Sequence, residues 1–531
     1  MAADAIAISP TILTYLEWPT QVRGVEESEI QPAERSMNGR LPVNRLDSYC
    51  AIVSTWIESS RFRRFSRIFA MLTTRKSFFA ILLLGLVIRL WLCISYPQDL
   101  TSDNDGYLAH ARMVADGEGF AGPSTHRPTA FRPPAYPVVL GLQMKLGCSD
   151  SLSVAIVNLV SSAVILWFTL TLAIQSGLPV FAASCAMLAA ALDPLLVRYS
   201  VLPMTEVPCA AILLAALVWY RSSQRQLMAS REPAAHAASR QGLTRTLVGS
   251  GILFGAGSLV RPVVLISCGL LTVFAIVTSA RAGRGRHSTE TPATSPRQGS
   301  MHFAFRFALL LPAGVAALTI MPWTIRNAIT FGDFIPATTH GGYTLALGNN
   351  PAFYRDVIDG ADQFPWNGKS LDAWQQGMIA RSVSDGVPAG DEPAQDAWYY
   401  QQAVAAIRAE PRNFLKATAL RLQRFWAISA AGTQSFPLMN LAVSLWYCLL
   451  WIGLVLQVIG CWFCRKSKQS VSSAELWLVV LSFLLMHSVY WTDTRMRAPV
   501  MPILCVLSVA GWNVAADFAR SLLHRRIDPL P

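Results

Sequence analysis

Residues 78–96 read FFAILLLGLVIRLWLCISY, and residues 101–107 just beyond them read TSDNDGY. The first stretch is 19 residues long and holds one charge, Arg89, which is enough apolar helix to cross a hydrocarbon core of roughly 30 Å. Charge and turn chemistry return in the second stretch, where Asp103, Asn104, Asp105 and Gly106 stand ahead of Tyr107. Arg61, Arg63, Arg64, Arg67, Arg75 and Lys76 lie on the other side of the apolar block. Basic residues collect on the cytoplasmic side of a spanning helix, so the Asp103–Tyr107 stretch is expected to face outward.

The rest of the chain repeats this pattern. Of 531 residues, 53% are hydrophobic and 14% charged, against a charged share of about 25% in soluble proteins. The mean hydropathy of +0.37 agrees. Further apolar blocks lie near 152–175, 178–192, 203–220, 247–260, 262–280, 305–322, 438–463, 474–491 and 498–518. The expected fold is therefore an all-α polytopic membrane protein of about ten transmembrane helices, with a mixed, mainly helical domain outside the membrane. The block at 136–147 is too short to span and reads as an interfacial or re-entrant piece.

A net charge of +12 would suit nucleic acid, but the positions of the charges assign it to the membrane instead. Arg221, Arg225, Arg231, Arg240 and Arg245 fall in one expected cytoplasmic loop, and Arg281, Arg284, Arg286 and Arg297 in another. Arg465, Lys466 and Lys468 follow, then Arg520, Arg525 and Arg526. This alternation places both termini inside and calls for no nucleic-acid partner. It divides the chain into a largely disordered cytoplasmic extension (1–76), a membrane domain (77–322) with a first outer loop (97–135), an outer loop domain (323–437), C-terminal spans (438–518) and a cytoplasmic tail (519–531). The N-terminus shows no apolar run beside its start, so no cleavable leader is expected. Most of the ten cysteines sit in apolar blocks as small hydrophobes. Cys461 and Cys464 form a C-x-x-C that no second pair or histidine cluster completes into a zinc site.

Chemistry concentrates on the outer side. The stretch 106–116 reads as a short helix ending at Gly117, and one of the two aspartates at its start is accounted for as an N-cap. Asp103 is then a candidate general base for an acceptor hydroxyl, with Asp105 the cap. Pro133 and Pro134 fix an extended entry behind Arg132, which is either an interfacial anchor or a phosphate contact. Asp193 with Arg198, Thr205 with Glu206, Arg261, Arg326 with Asn327, and Asp493 with Arg495 and Arg497 recur at outer helix ends. Ionisable groups at membrane depth are costly and mark shared cavities, and arginine suits a phosphate. A phosphate on a polyprenyl tail would need both this interface and a lateral groove.

In order along the chain these motifs resemble the polytopic GT-C glycosyltransferases, in particular the bacterial relatives of protein O-mannosyltransferases and of the lipid A aminoarabinose transferase. The resemblance covers about 78–518. It is carried by Asp103 with Tyr107, Gly117-Glu118-Gly119-Phe120, Arg132-Pro133-Pro134, Asp193-Pro194, Thr205-Glu206, Leu259-Val260-Arg261-Pro262, Pro322-Trp323-Thr324-Ile325-Arg326-Asn327, Gly348-Asn349-Asn350-Pro351 and Arg495-Met496-Arg497-Ala498-Pro499.

The resemblance implies transfer of a sugar from a polyprenyl-phosphate donor to a periplasmic lipid, glycan or protein acceptor, with inversion, in the inner membrane. Asp103 takes the catalytic position, and Asp105, Tyr107, Arg132, Glu206, Arg261, Arg326, Arg495 and Arg497 are expected to bind substrate. Arg261, Arg326 or Arg497 would stabilise the leaving phosphate. Several relatives carry an acidic residue where Asn104 stands, so a divalent metal is an open expectation rather than an assigned cofactor. The alternatives are a lipid-linked oligosaccharide ligase or polymerase, and a lipid-sugar transporter, although no internal repeat of the transporter kind is apparent.

Overall fold

The computed structural model describes residues 75–229, 237–284, 296–360, 366, 368–429, 437–463 and 468–527. The expectations for residues 1–74 and for Cys464 lie outside the described residues. Arg75–Ser77 open the first helix, and the chain from Phe78 onward forms one compact unit.

The chain is all-α and polytopic. The helices of the membrane part are α1 (Arg75–Ser95), α2 (Tyr107–Ala115), α3 (Ala135–Lys145), α4 (Asp150–Gln175), α5 (Val180–Leu192), α6 (Pro194–Tyr199), α7 (Glu206–Ala229), α8 (Ala237–Ser258), α9 (Val263–Arg284) and α10 (Pro296–Phe331). The segment expected outside the membrane, called the outer segment for that expectation, follows with α11 (Gly341–Gly348), α12 (Lys369–Ser384), α13 (Glu392–Ala409) and α14 (Pro411–Phe425). The chain closes with α15 (Pro437–Phe463), α16 (Lys468–Val489), a 3-10 turn (Thr494–Val500) and α17 (Met501–Ile527).

Every one of the ten apolar blocks carries a helix. Among the described residues six helices are long and apolar enough to cross a membrane: Lys76–Ser95, Asp150–Gln175, Val263–Arg281, Ala308–Phe331, Pro437–Trp462 and Thr494–Ser521. The other four blocks lie in α5, α7, α8 and α16. Of these, α7 is buried along most of its apolar length, from Val207 to Val218, and packs on α4, α8 and the 3-10 turn. It is the central helix of the bundle. By contrast α1 leaves Phe79, Leu83, Trp91 and Ile94 uncovered by protein, as a lipid-facing helix does. Arg89, on the same helix, turns inward and donates to the carbonyls of Gly85 (3.0 Å) and Ala191 (2.9 Å). That satisfies the requirement that an intramembrane charge face the bundle interior.

Small residues set the closest helix crossings. On α8 a Cβ added to Gly251 would meet Val315 at 2.6 Å, and one on Gly255 would meet Thr319 at 2.5 Å, both on α10. Helix α3, the short block at 136–147, packs on α2 through Gly141, whose missing side chain makes room for the Ala111 carbonyl and Val114.

The outer segment has its own aromatic core of Phe353, Tyr354, Trp366, Trp374, Trp398 and Tyr399, against which Tyr490 and Trp491 pack. The proline at 411 opens α14 at its first position, where a missing N–H costs nothing. Thr418 and Arg421, about one turn apart on α14, pack on the end of α16, and both side chains donate to the Ser488 carbonyl.

Candidate functional site

The chain leaves α1 at Ser95, makes a short turn at Asp99–Thr101, and enters α2 through Gly106, whose φ of +76° suits a residue without a side chain. Asp103 closes this entry. Its Oδ1 accepts from the Leu108 N–H (3.0 Å) and its Oδ2 from the Ala109 N–H (2.8 Å). Asp103, rather than Asp105, therefore satisfies the free amides of the helix. The reason is reach: the glycine turn folds the chain so that the carboxylate five residues before Leu108 lies over the helix start. Burial pushes the Asp103 carboxyl up, and the two amides and Arg112 only partly offset this, so its pKa is raised.

Asp105 points the other way, into a cluster of charges. Its Oδ2 accepts from Arg495 Nη1 at 3.0 Å, and its Oδ1 lies 3.9 Å from Arg132. Arg495 stands 4.0 Å from Glu206, whose Oε1 also accepts from Arg261 at 2.7 Å. Arg261 further donates through Nε to the Thr205 hydroxyl (2.9 Å). Burial alone would raise the Asp105 carboxyl, but Arg495, Arg132 and Arg261 outweigh it and hold it well below the usual carboxylate range. The side chains of Arg132, Arg261, Arg495 and Asp105 remain between 14% and 19% exposed, while Glu206 is fully buried. The guanidiniums are thus accessible from one side and anchored from the other.

Local chain geometry places each arginine. After Arg132 the prolines lead into α3, and the Ala135 N–H donates to the Leu259 carbonyl (3.1 Å), which brings Arg132 toward the turn holding Arg261. Arg132 lies over the Tyr107 ring, 5.5 Å from its centroid, and Tyr107 meets Tyr136 edge-on at 5.6 Å. Arg495 and Arg497 sit two residues apart in the 3-10 turn, where a residue advances about a third of a turn, so they point to different neighbours. Arg495 reaches Asp105, whereas Arg497 is buried, donates to the carbonyls of Phe425 (2.8 Å) and Ala427 (2.6 Å), and lies over the Tyr447 ring.

Two expected substrate contacts make their hydrogen bonds away from this cluster, although Nε and Nη2 of Arg497 have no hydrogen-bond partner among the described residues. Arg497 ties the turn to the end of α14. Arg326 donates to the carbonyls of Thr129 (2.8 Å) and Phe120 (3.0 Å) and stacks on Trp323, so it braces the first loop. The structure gathers Asp105, Tyr107, Arg132, Glu206, Arg261 and Arg495 around one site, with Asp103 at its edge. It does not bring Arg326 and Arg497 into that group by any hydrogen bond.

Three participants carried no decisive sequence signal. Glu392 on α13 accepts through Oε2 from the Ala130 N–H (2.9 Å) and the Thr339 hydroxyl (2.9 Å), which clamps the outer segment to the first loop. His340 stacks edge-on against Phe131 at 4.5 Å, and burial together with Arg132 lowers its pKa well below the usual value. Tyr136 is buried beside Tyr107. A lone Glu, His or Tyr in a loop-rich sequence has too many structural uses to single out.

This donor set fits an anion. Three guanidiniums face two carboxylates, one positive charge in excess, and each carboxylate already holds an arginine. Among the described residues no group of three His, Cys, Asp or Glu side chains gathers in metal-holding range; the acidic groups of the site do not match a divalent cation, and no step is derived through one.

No protein-family profile and no curated protein matches the chain. Among solved structures it is similar to the archaeal oligosaccharyltransferase AglB from Archaeoglobus fulgidus in complex with an inhibitory peptide and a dolichol-phosphate, at a TM-score of 0.48 and 14% identity over 86% of this chain and 52% of that one. It is also similar to ArnT from Cupriavidus metallidurans bound to undecaprenyl phosphate, at a TM-score of 0.35 and 15% identity over 77% of this chain and 72% of that one. The chain spans about half the length of the archaeal oligosaccharyltransferase. These alignments assign no role to any residue here.

Proposed function

We propose that this chain is a membrane glycosyltransferase that moves a sugar from a polyprenyl-phosphate donor to a lipid, glycan or protein acceptor on the periplasmic side, with inversion at the anomeric carbon. In this reading the chain lies in the inner membrane with both termini cytoplasmic, and residues 97–135 and 323–437 stand outside. The observation that carries it is the juxtaposition of an arginine cluster with excess positive charge, half sheltered at the mouth of a membrane helix bundle, and a partly exposed carboxylate with a raised pKa. The first holds a lipid phosphate. The second accepts a proton.

Asp103 is the better base of the two aspartates. Each of its oxygens accepts one amide and keeps a further lone pair, whereas Asp105 is held ionised by two arginines and makes a weak proton acceptor. In the reaction the acceptor O–H gives its proton to Asp103, the hydroxyl oxygen bonds to the anomeric carbon, and the bond from that carbon to the phosphate oxygen breaks. Arg132, Arg261 and Arg495 stabilise the charge that grows on the departing polyprenyl phosphate. Asp105 and Glu206 keep the guanidiniums in place.

The experiment is label transfer. Purified protein in lipid is given a labelled polyprenyl-phosphate sugar and a membrane extract, and products are read by mass. Covalent label on an acceptor supports the reading. Movement of intact donor between leaflets without product refutes it in favour of a transporter, and transfer of whole oligosaccharides alone would make the chain a ligase.

A further inference from the structure

Two polar atoms at the site have no hydrogen-bond partner among the described residues although both are shut away from solvent: the Tyr136 hydroxyl and Glu206 Oε2. Tyr136 is 2% exposed and Glu206 0%. Leaving a buried donor or acceptor unpaired is unfavourable, so a donor and an acceptor left unpaired beside one charge cluster invite an occupant that can serve both. Both border the arginine cluster: Tyr136 meets Tyr107, over which Arg132 lies, and Glu206 meets Arg261 and Arg495. Glu206 uses its other oxygen to hold Arg261 and stand near Arg495, and Glu206, Tyr107 and Asp103 are the ionisable groups around the Tyr136 phenol.

The geometry points to a hydroxyl-binding subsite formed by Tyr136 and Glu206, which takes a hydroxyl of the sugar carried on the donor phosphate. It rests on the reading of the arginine cluster as the phosphate site. A carboxylate oxygen needs a donor, and a phenol O–H needs an acceptor. A hydroxyl is both at once, accepting from Tyr136 and donating to Glu206, whereas a phosphate oxygen would face Glu206 with like charge. Burial pushes the phenol well above its ordinary range, so it stays protonated and donates. Since the other oxygen of Glu206 anchors the arginines, the bound hydroxyl lies on the group next to the phosphate, which is the sugar. Tyr136 thereby becomes a specificity-determining residue that separates a loaded carrier from a spent one.

The test uses the full chain in detergent and two kinds of probe: a sugar-free short-chain polyprenyl phosphate, and the same lipid phosphate bearing a hexose, a pentose or an aminopentose. Wild type is expected to hold one or more of the sugar-bearing probes about fivefold more tightly than the bare phosphate, the net worth of about one hydrogen bond. Tyr136→Phe, which keeps the ring edge against Tyr107, should lose most of that preference and leave affinity for the bare phosphate within about twofold. One monodeoxy version of the preferred probe should reproduce the loss in wild type. An undiminished preference in Tyr136→Phe, or no preference in wild type, overturns the subsite and leaves those atoms to water. A wild type that binds the sugar-free phosphate no better than a neutral polyprenol refutes the phosphate reading itself and the subsite with it.

Discussion

Arg495 donates to Asp105 at 3.0 Å across 390 positions of sequence, so the turn that opens the last helix grips the loop that follows the first. With Arg132 on the other oxygen of Asp105, the loop after α1 is held by a charge lock rather than by apolar packing alone.

Asp105→Asn breaks that lock. Removing one partner of a largely buried pair costs on the order of 3 kcal/mol, and the freed arginines gain net charge. Unfolding of the purified protein should move to lower temperature while affinity for sulfate or inorganic phosphate rises. Unchanged anion affinity would show that Asp105 does not compete for the guanidiniums.

Asp103→Asn retains an oxygen for one of the two amides at the start of α2 but removes the proposed base. Transfer should fall by about 10²–10⁴-fold, the usual worth of general base catalysis, with donor binding intact. The raised pKa fixes the pH profile: wild-type activity falls as pH drops through a value above the ordinary carboxylate range of about 3.9, because the proton acceptor is then occupied. An activity profile flat through that region would remove Asp103 from the role.

Asp396 on α13 accepts from the Gly342 N–H at 2.6 Å, and burial, with Glu392 nearby, pushes its pKa up to about 6. The sign follows from linkage: a carboxyl whose folded pKa lies above its unfolded value contributes stability that is complete below about pH 4 and is lost as pH rises through about 6. Asp396→Asn should flatten the pH dependence of unfolding across that window. A slope unaltered by the substitution would assign the dependence to another group.

Gly141→Val tests how firmly α3 positions the loop. A Cβ there meets the Ala111 carbonyl at 2.5 Å and Val114 at 2.7 Å, so α2 and α3 must separate. Overpacking of this kind costs about 1–3 kcal/mol. Because Asp103 caps α2, transfer should fall well below the level set by protein abundance, as quantitative immunoblotting beside the activity assay would show.

Glu392→Ala unclamps the outer segment, leaving the Ala130 N–H and the Thr339 hydroxyl without their shared acceptor at a cost of about 1–3 kcal/mol. Glu392→Gln keeps an acceptor oxygen and should be mild. Hydrogen exchange at 120–131 should quicken in the first variant and not in the second.

The sequence by itself determined the membrane class and the helical blocks, and it showed that polar residues gather at the helix ends. Those properties follow from local quantities: an apolar run either is or is not long enough to span, and hydropathy needs no knowledge of neighbours. It also placed Arg132, Glu206, Arg261 and Arg495 in the candidate set, because charge at the edge of a membrane is costly wherever it occurs, whereas Tyr107 entered only through the resemblance.

Only the tertiary structure decided what each charge does. Asp103 and Asp105 are two residues apart and look alike in sequence, yet a glycine turn sends one to the amides of α2 and the other to the arginines. Arg495 and Arg497 part in the same way, because a 3-10 turn aims them at different neighbours. Arg326 resembles a ligand-binding residue until its carbonyl partners at Phe120 and Thr129 appear. Pairing is a property of distance in space: Asp103 reaches amides five and six residues on, but Asp105, Glu206 and Arg326 find partners tens to hundreds of positions away, which no local pattern encodes.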